Sequence, residues 1–381
     1  MHQKIYAILL LSIISLSSQA DNNVQQKPQI SSQHTRLTFG FMTNYNIREF
    51  NESSRDKLGD FGLALIRLGL ESRYDDFVLS ARYHWYNGFN AVHHAWVGYN
   101  TSENLQIQAG VIRVPFGLLP YAAHTFWLGV PYYVGKDDDN DAGLSLTFIK
   151  NNLDLRFSIT KNEELGNSTS ANRYSTDVIR DSDKQQYNEE VNQINLRGSY
   201  NIQHQYRKKT EIGFSLEWGQ LYNTNRHTFG DHWAAGLHLN RVYYRWQFQF
   251  EAFKYQYNPD NSEMTSKDTI LMGMLGAKAE IASKGTVYVA NIARDILFTL
   301  GPINKMTCYN DFSVLQKAKE TFSDSKLNVM GCLVKAGPVL AFIDFMSAKN
   351  MTFFDEASSM GSGGDNQWKH RANLRLGYFF K

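Results

Sequence analysis

The stretch Arg371-Ala-Asn-Leu-Arg-Leu-Gly-Tyr-Phe-Phe-Lys381 decides how this chain folds. Ala372, Leu374, Leu376, Tyr378 and Phe380 are apolar or aromatic, and Arg371, Asn373, Arg375 and Gly377 between them are polar or small. A period of two belongs to a β-strand, whose successive side chains leave opposite faces. One face of this strand suits an apolar medium and the other suits water.

The same alternation recurs upstream, most clearly at 77–86, 104–111, 153–160, 211–218 and 242–253. In the first stretch Phe77, Leu79, Ala81, Tyr83 and Trp85 share a face, opposite Val78, Ser80, Arg82, His84 and Tyr86. In the last, Val242, Tyr244, Trp246, Phe248 and Phe250 oppose Arg245, Gln247, Gln249 and Glu251. Continued along the chain, the pattern gives about 16 strands of about 10 residues, long enough to cross a bilayer at a tilt. Short connections fall near 73–75, 101–103, 151, 204–207, 240–241, 283–285 and 337–338. They alternate with longer ones near 48–60, 114–140, 162–188, 258–267, 298–325 and 351–367, while the links at 87–90 and 222–227 stay short on the long side. A soluble sandwich also alternates but has no reason to keep this phase. The expected fold is all-β: a transmembrane antiparallel β-barrel over residues 36–381, with long external loops and short periplasmic turns.

The other end of the chain agrees. Met1-His-Gln-Lys4 is basic, an apolar run of about 12 residues follows, and Ser18-Gln-Ala20 is a small-x-small cleavage site, so residues 1–20 read as an export signal. Residues 21–35, rich in Gln, Asn and Ser, read as a periplasmic lead-in. Past residue 20 no stretch reaches the about 18 apolar residues of a membrane helix. A mean hydropathy of −0.42 is compatible with a barrel, which hides its lipid-facing half in alternation. Lys4 is the one formal charge in the signal, so the remaining chain carries one unit less than the formal +2. That balance argues against nucleic acid as a partner. Cys308 reads as a loop residue and Cys332 as a strand residue, which leaves open whether they pair in an oxidising periplasm.

The connection at 114–140 is too apolar for an exposed tip. Phe116, Leu118, Leu119, Tyr121, Phe126, Trp127, Tyr132 and Tyr133 need cover, and the lumen wall of a wide barrel provides it. A loop folded inward narrows the pore. Across it and its flanks, Gly110-x-x-Arg113-x-Pro115-Phe116-Gly117, the aromatic stretch and Gly135-x-Asp137-Asp138-x-x-Asp141-x-Gly143-Leu144 resemble the phosphate-selective porin O/P family. The terminal strand is similar to the closing strand of bacterial outer-membrane barrels. The resemblance implies a sixteen-stranded, usually trimeric porin of a Gram-negative outer membrane, with an inward third loop. The function this suggests is passive diffusion of small hydrophilic solutes or ions, with outer-membrane lipid around the barrel and no cofactor. A membrane-embedded lipase or protease barrel, and a structural or adhesive barrel with a plugged lumen, are the competing readings.

The candidate constriction residues are Arg113, Pro115, Phe116, Gly117, Tyr121, Lys136, Asp137, Asp138 and Asp141. Arg113 and Lys136 are the only lysine or arginine residues between Gln108 and Asn140 and are expected to flank the constriction. Parity assigns Arg82, Arg156, Arg197, Arg245, Arg375, Asp154, Glu211, Glu217 and Glu251 to the lumen. Mixed signs there predict weak selectivity, tilted toward anions by Arg113 and Lys136.

No catalytic or metal-binding residue is assigned. Gly-x-Ser-x-Gly is absent. Asp137-x-Asp139-x-Asp141 has the spacing of a calcium loop's first ligands, but Ala142 and Phe148 occupy the positions that need Gly and Glu. A solvated acidic rim beside Lys136 is the expectation, with a simpler divalent-cation site at an external hairpin as the alternative. His93 and His94 are adjacent on a strand and should face opposite ways.

Overall fold

The computed structural model describes residues 33–263 and 265–380. The export signal, its cleavage near Ala20 and residues 21–32 of the lead-in lie outside them. In chain order the strands are β1 (His34–Arg48), β2 (Asp60–Tyr74), β3 (Phe77–Tyr86), β4 (Asn90–Ser102), β5 (Leu105–Arg113), β6 (Asn140–Lys150), β7 (Leu153–Glu163), β8 (Asp177–Val178), β9 (Asn188–His204) and β10 (Lys208–Asn223). They continue with β11 (Thr228–Tyr243), β12 (Trp246–Asn258), β13 (Thr269–Met274), β14 (Ala277–Ala282), β15 (Lys284–Leu300), β16 (Ile303–Lys317), β17 (Ser325–Ala336), β18 (Val339–Lys349) and β19 (Trp368–Phe380). Sixteen of them close into one antiparallel barrel, sealed where β1 pairs with β19. The remaining three, β8, β13 and β14, form a separate sheet built from two external loops.

The terminal strand alternates as its sequence requires. Leu374, Leu376 and Tyr378 are 43, 50 and 40 % exposed on the outside, whereas Arg375 is 7 % exposed on the inside. Apolar side chains left exposed around a closed barrel make a belt that only lipid can cover. The largest apolar cluster lies within the lumen. There Phe116, Tyr132 and Val134 of the inward loop meet Phe253, Tyr255 and Val287 of the wall and Val178, Met272 and Ile281 of the small sheet.

Two strand assignments differ from the sequence reading. The chain turns at Tyr244-Arg245, not at 240–241, with Tyr243 opposite Trp246. Neither turn residue is Gly, Asn or Asp, so the alternation runs through the turn unmarked. Arg245 is therefore an exposed turn residue and does not face the lumen. The second difference is a pair of compensating errors. Residues 298–325 were expected as a loop, yet β16 runs through them after a turn at Gly301-Pro302. Residues 283–285 were expected as a periplasmic turn, yet they join the external β13–β14 hairpin to β15. The stretch between the connections at 258–267 and 283–285 reads as one wall strand and 298–325 as none, whereas the hairpin lies outside the wall and β16 within it, so the total of sixteen is unaffected. β16 escapes notice because its outward face carries Cys308, Asn310 and Gln316 among its apolar residues.

With β16 in place, Cys308 is a strand residue directly opposite Cys332 on β17, and the two are joined as a disulfide. Tyr309 and Asp311 point inward, so the disulfide sits on the outer face of the barrel.

Candidate functional site

The connection between β5 and β6, residues 114–139, folds into the lumen and crosses to the far wall. Its tip is held at Gly117, where the backbone N–H donates to Ser215 Oγ at 2.9 Å and the carbonyl accepts from Arg197 Nε at 2.7 Å. The N–H of Leu118 donates to Glu251 Oε2 at 2.9 Å. Gly117 has φ +58°, and a Cβ there would lie 2.2 Å from a Glu251 carboxylate oxygen. Only glycine meets both demands. Further along, Asp311 accepts from the His124 and Thr125 N–H groups at 2.6 and 2.9 Å, and Asn291 Nδ2 donates to the Ala122 carbonyl at 2.8 Å. The short helix α1 (Val130–Tyr133) follows, its first N–H donating to Ser313 Oγ at 3.0 Å.

The returning arm carries Lys136 and four aspartates. Lys136 is buried, and its Nζ donates to Glu217 Oε1 at 2.5 Å, while Asn195 and His232 hold the same carboxylate at 3.0 and 3.3 Å. Burial opposes the ammonium charge, but Glu217, with Tyr257 and Glu190 beside it, more than offsets burial and holds Lys136 well above its ordinary range. Lys136 is thus enclosed instead of flanking an opening. Its replacement by Gln leaves Glu217 as an unpaired buried charge and should cost about 3–5 kcal/mol of stability. Denaturant unfolding in detergent measures this, and the double change Lys136→Met with Glu217→Met should recover most of the loss.

Asp137 accepts from the Ala122 N–H at 3.2 Å and so ties the two arms together. Asp138 pairs with Arg113 and accepts from the Tyr174 hydroxyl, with His93 Nε2 at 3.6 Å. Burial works against its charge, but Arg113 and His93 outweigh burial and bring the carboxyl down to about 2. Burial, with Asp177 and Glu190 beside it, drives the Asp139 carboxyl well above the usual range. All four aspartates are buried, so they do not form the solvated rim expected from the sequence. A rim would require the returning arm to sit outside the barrel, and the packed aromatics draw it in.

Pro115 and Phe116 are buried, with Phe116 edge-on to Phe253 at 5.3 Å, and Arg113 lies over the Tyr121 ring at 5.3 Å. His93 and His94 do not face opposite ways. The register shifts between Arg82 and Tyr83, leaving His93 as a bulge, so both rings point inward with their Nδ1 atoms 2.8 Å apart.

The loop leaves an open cavity of about 590 Å³ on its other side, against β1–β4 and β19. Arg67, Arg82, Arg371 and Arg375 line it, facing Tyr121 and Trp127. The guanidinium carbons of Arg371 and Arg375 lie 4.1 and 4.0 Å from the centre of the Trp127 ring system. Nε of Arg67, Arg371 and Arg375 donates to no protein acceptor among the described residues. Among the described residues the one lining carboxylate is Asp60, which Arg48 and Lys57 hold at 2.8 and 2.7 Å. The lumen charges are therefore unevenly spread, with the buried Asp311 of β16 and Asp344 of β18 on the wall between the two groups. On the wall from β7 to β12 Arg156 pairs with Asp154 at 2.9 Å and Arg197 with Glu211 at 2.6 Å, and Glu217 takes Lys136 of the loop. Glu251 on that wall is covered by the loop. The arginines on the opposite wall border the open space. Arg67 was not singled out from the sequence; its inward parity with Gly69 was the available signal.

No protein-family model and no curated protein matches the chain. Its fold is shared with solved structures over nearly its whole length. The anion-selective porin from Comamonas acidovorans matches with a TM-score of 0.59 at 11 % identity, covering 92 % of this chain and 100 % of that one. The outer-membrane expressed OmpT of Vibrio cholerae matches with 0.57 at 8 % identity, covering 93 and 100 %. The outer membrane channel DcaP of Acinetobacter baumannii matches with 0.54 at 10 % identity, covering 91 and 97 %. At these identities the shared property is architecture: the chain has the sixteen-stranded closed barrel of bacterial outer-membrane porins.

Proposed function

We propose that this protein is a passive outer-membrane channel for small hydrophilic solutes, with a preference for anions. The observation that carries the reading is the four-arginine border of the open cavity, against one carboxylate already held by two basic residues. Positive charges on a narrow aqueous wall raise the local concentration of anions and lower that of cations. The inward loop acts as the constriction and also covers the acidic wall. The apolar outer belt supports a location in the outer membrane of a Gram-negative bacterium, and the export signal read from residues 1–20 of the sequence agrees with it. The loop motif resembling phosphate-selective porins extends the reading to oxyanions and to association as homotrimers. No nucleophile–base pair is needed for such a role, and the reading is non-enzymatic.

The test is a planar bilayer under a KCl gradient. The expected result is stepwise conductance with a reversal potential on the chloride side. Absence of steps would remove the channel, and a reversal potential on the potassium side would remove the anion preference.

A further inference from the structure

The returning arm of the loop is linked to an uncommon concentration of buried negative charge. Asp139 leads into β6, Asp141 is the second residue of β6, and Asp177 belongs to β8 of the small outer sheet. Carboxylate oxygens from the three lie within 4.8 Å of one another. Two oxygens that share one calcium ion at 2.3–2.6 Å stand no more than about 5 Å apart, so the spacing fits a common ion. The three residues are 6, 3 and 0 % exposed. One oxygen of each, Oδ1, accepts no hydrogen bond among the described residues.

An independent observation points to the same place. Glu164, 7 % exposed, uses Oε1 to accept the Tyr174 and Ser175 N–H groups, while its buried Oε2 accepts no hydrogen bond among the described residues and lies beside the Arg173 that serves Asp177. Glu190 adds a fifth carboxylate that acts on both Asp139 and Asp141. The nearby cations do not balance this set. Lys136 is taken by Glu217 at 2.5 Å. Arg173 serves Asp177 at 2.9 Å and lies 3.9 and 3.7 Å from Glu164 and Glu163. Buried carboxylates in excess of their cationic partners are among the costliest features a fold can carry, and a divalent ion offsets that excess.

We propose that Asp139, Asp141 and Asp177 bind one calcium-type divalent cation, with Glu164 and Glu190 beside it, and that the ion ties the root of the inward loop to the outer sheet. The donors are all hard oxygens, which excludes thiolate- or imidazole-seeking metals. An all-carboxylate cage with little room for water suits calcium better than magnesium, which keeps its waters. Alternate residues of an extended chain share a face, so Asp139 and Asp141 point together while Asp137 turns to the Ala122 N–H.

The experiment uses the full mature chain refolded in detergent without lipopolysaccharide. It is equilibrated with calcium chloride at pH 7.5, desalted into metal-free buffer and analysed for metal. About one calcium per chain is expected, and EDTA should lower the unfolding temperature by several degrees, reversed by added calcium. The Asp139→Asn/Asp141→Asn variant, and Asp177→Asn separately, should retain less than about a tenth of that calcium and lose the EDTA response. Should the variants fail to fold, the wild-type metal content and EDTA shift decide alone. No retained calcium and no EDTA shift in the wild type would overturn the proposal, and the carboxyls would then carry protons. Calcium retained equally by folded variants would also overturn it, by placing the ion elsewhere.

Discussion

With residues 116–133 replaced by a short Gly-Ser linker, single-channel conductance will rise severalfold in planar bilayers. The replaced segment reaches across the lumen to β10, β12, β15 and β16 and fills the space in front of them with Phe116, Leu118 and the short helix. Conductance through a water-filled barrel scales with its narrowest open section, so emptying that space acts directly on the current. The barrel survives the change because its strands are held by their own ladder, closed from β1 to β19. The wall groups that lose loop partners, Arg197, Ser215, Glu251, Asn291, Asp311 and Ser313, are polar and meet water instead. A second consequence separates this result from simple widening. The replacement exposes Glu251 and Asp311 to the solution, so the anion preference should fall as the conductance rises. Unchanged conductance would mean that the segment does not limit the pore.

A smaller change at the same contact tests the seating of the loop. Gly117→Val places a branched side chain at positive φ and against the Glu251 carboxylate. Single-channel records should show a higher and noisier current, with barrel stability nearly unchanged. A quiet record of wild-type amplitude would show that the tip contact does not position the loop.

What the sequence makes legible here is set by the range of the interaction involved. Alternation is local, so the terminal strand, the strand at 77–86 and the inward parity of Arg82, Arg197, Glu217 and Arg375 can be read directly. The apolar loop can be read because eight aromatic or aliphatic side chains need cover. What fails is either locally unmarked or set by distant partners. Tyr244-Arg245 turns without a turn residue, and β16 carries polar residues on its lipid-facing side. The bulge at His93 depends on register with β3. The fate of each charge is the least legible of all. Lys136 and Arg375 are both single basic residues in promising places, yet Lys136 meets Glu217, 81 positions away, while Arg375 lies over Trp127 beside the open cavity. Parity tells which side of a wall a charge occupies, but it cannot tell which part of that wall a loop will cover. The third carboxylate of the acidic cluster, Asp177, comes from another loop altogether, so the spacing at 137–141 could show two of the three residues at most.

Changing Arg67, Arg82, Arg371 and Arg375 together to Gln should carry the reversal potential from the chloride side to the potassium side. One unit charge about 5 Å from a permeating ion, screened as in water, contributes about 0.8 kcal/mol. That energy favours the anion and disfavours the cation equally, so one arginine moves the permeability ratio by roughly tenfold at low salt. The four do not add fully, because the Debye length is about 10 Å at 0.1 M and their fields overlap. The shift should therefore be largest in dilute salt and shrink as salt is raised. Gln keeps hydrogen-bonding capacity on a polar wall, and among the described residues none of the four arginines forms a direct ion pair with a carboxylate, so the barrel should fold. Arg375→Lys distinguishes the two properties of that side chain. Charge is retained, so selectivity should persist, but a compact ammonium stacks less well on Trp127 and Phe126 than a planar guanidinium does. The expected signature is wild-type reversal potential with added current noise from the loosened loop. If the fourfold change leaves the reversal potential where it was, ions do not pass along this wall, and the space between the loop and β1–β4 is not the conducting path.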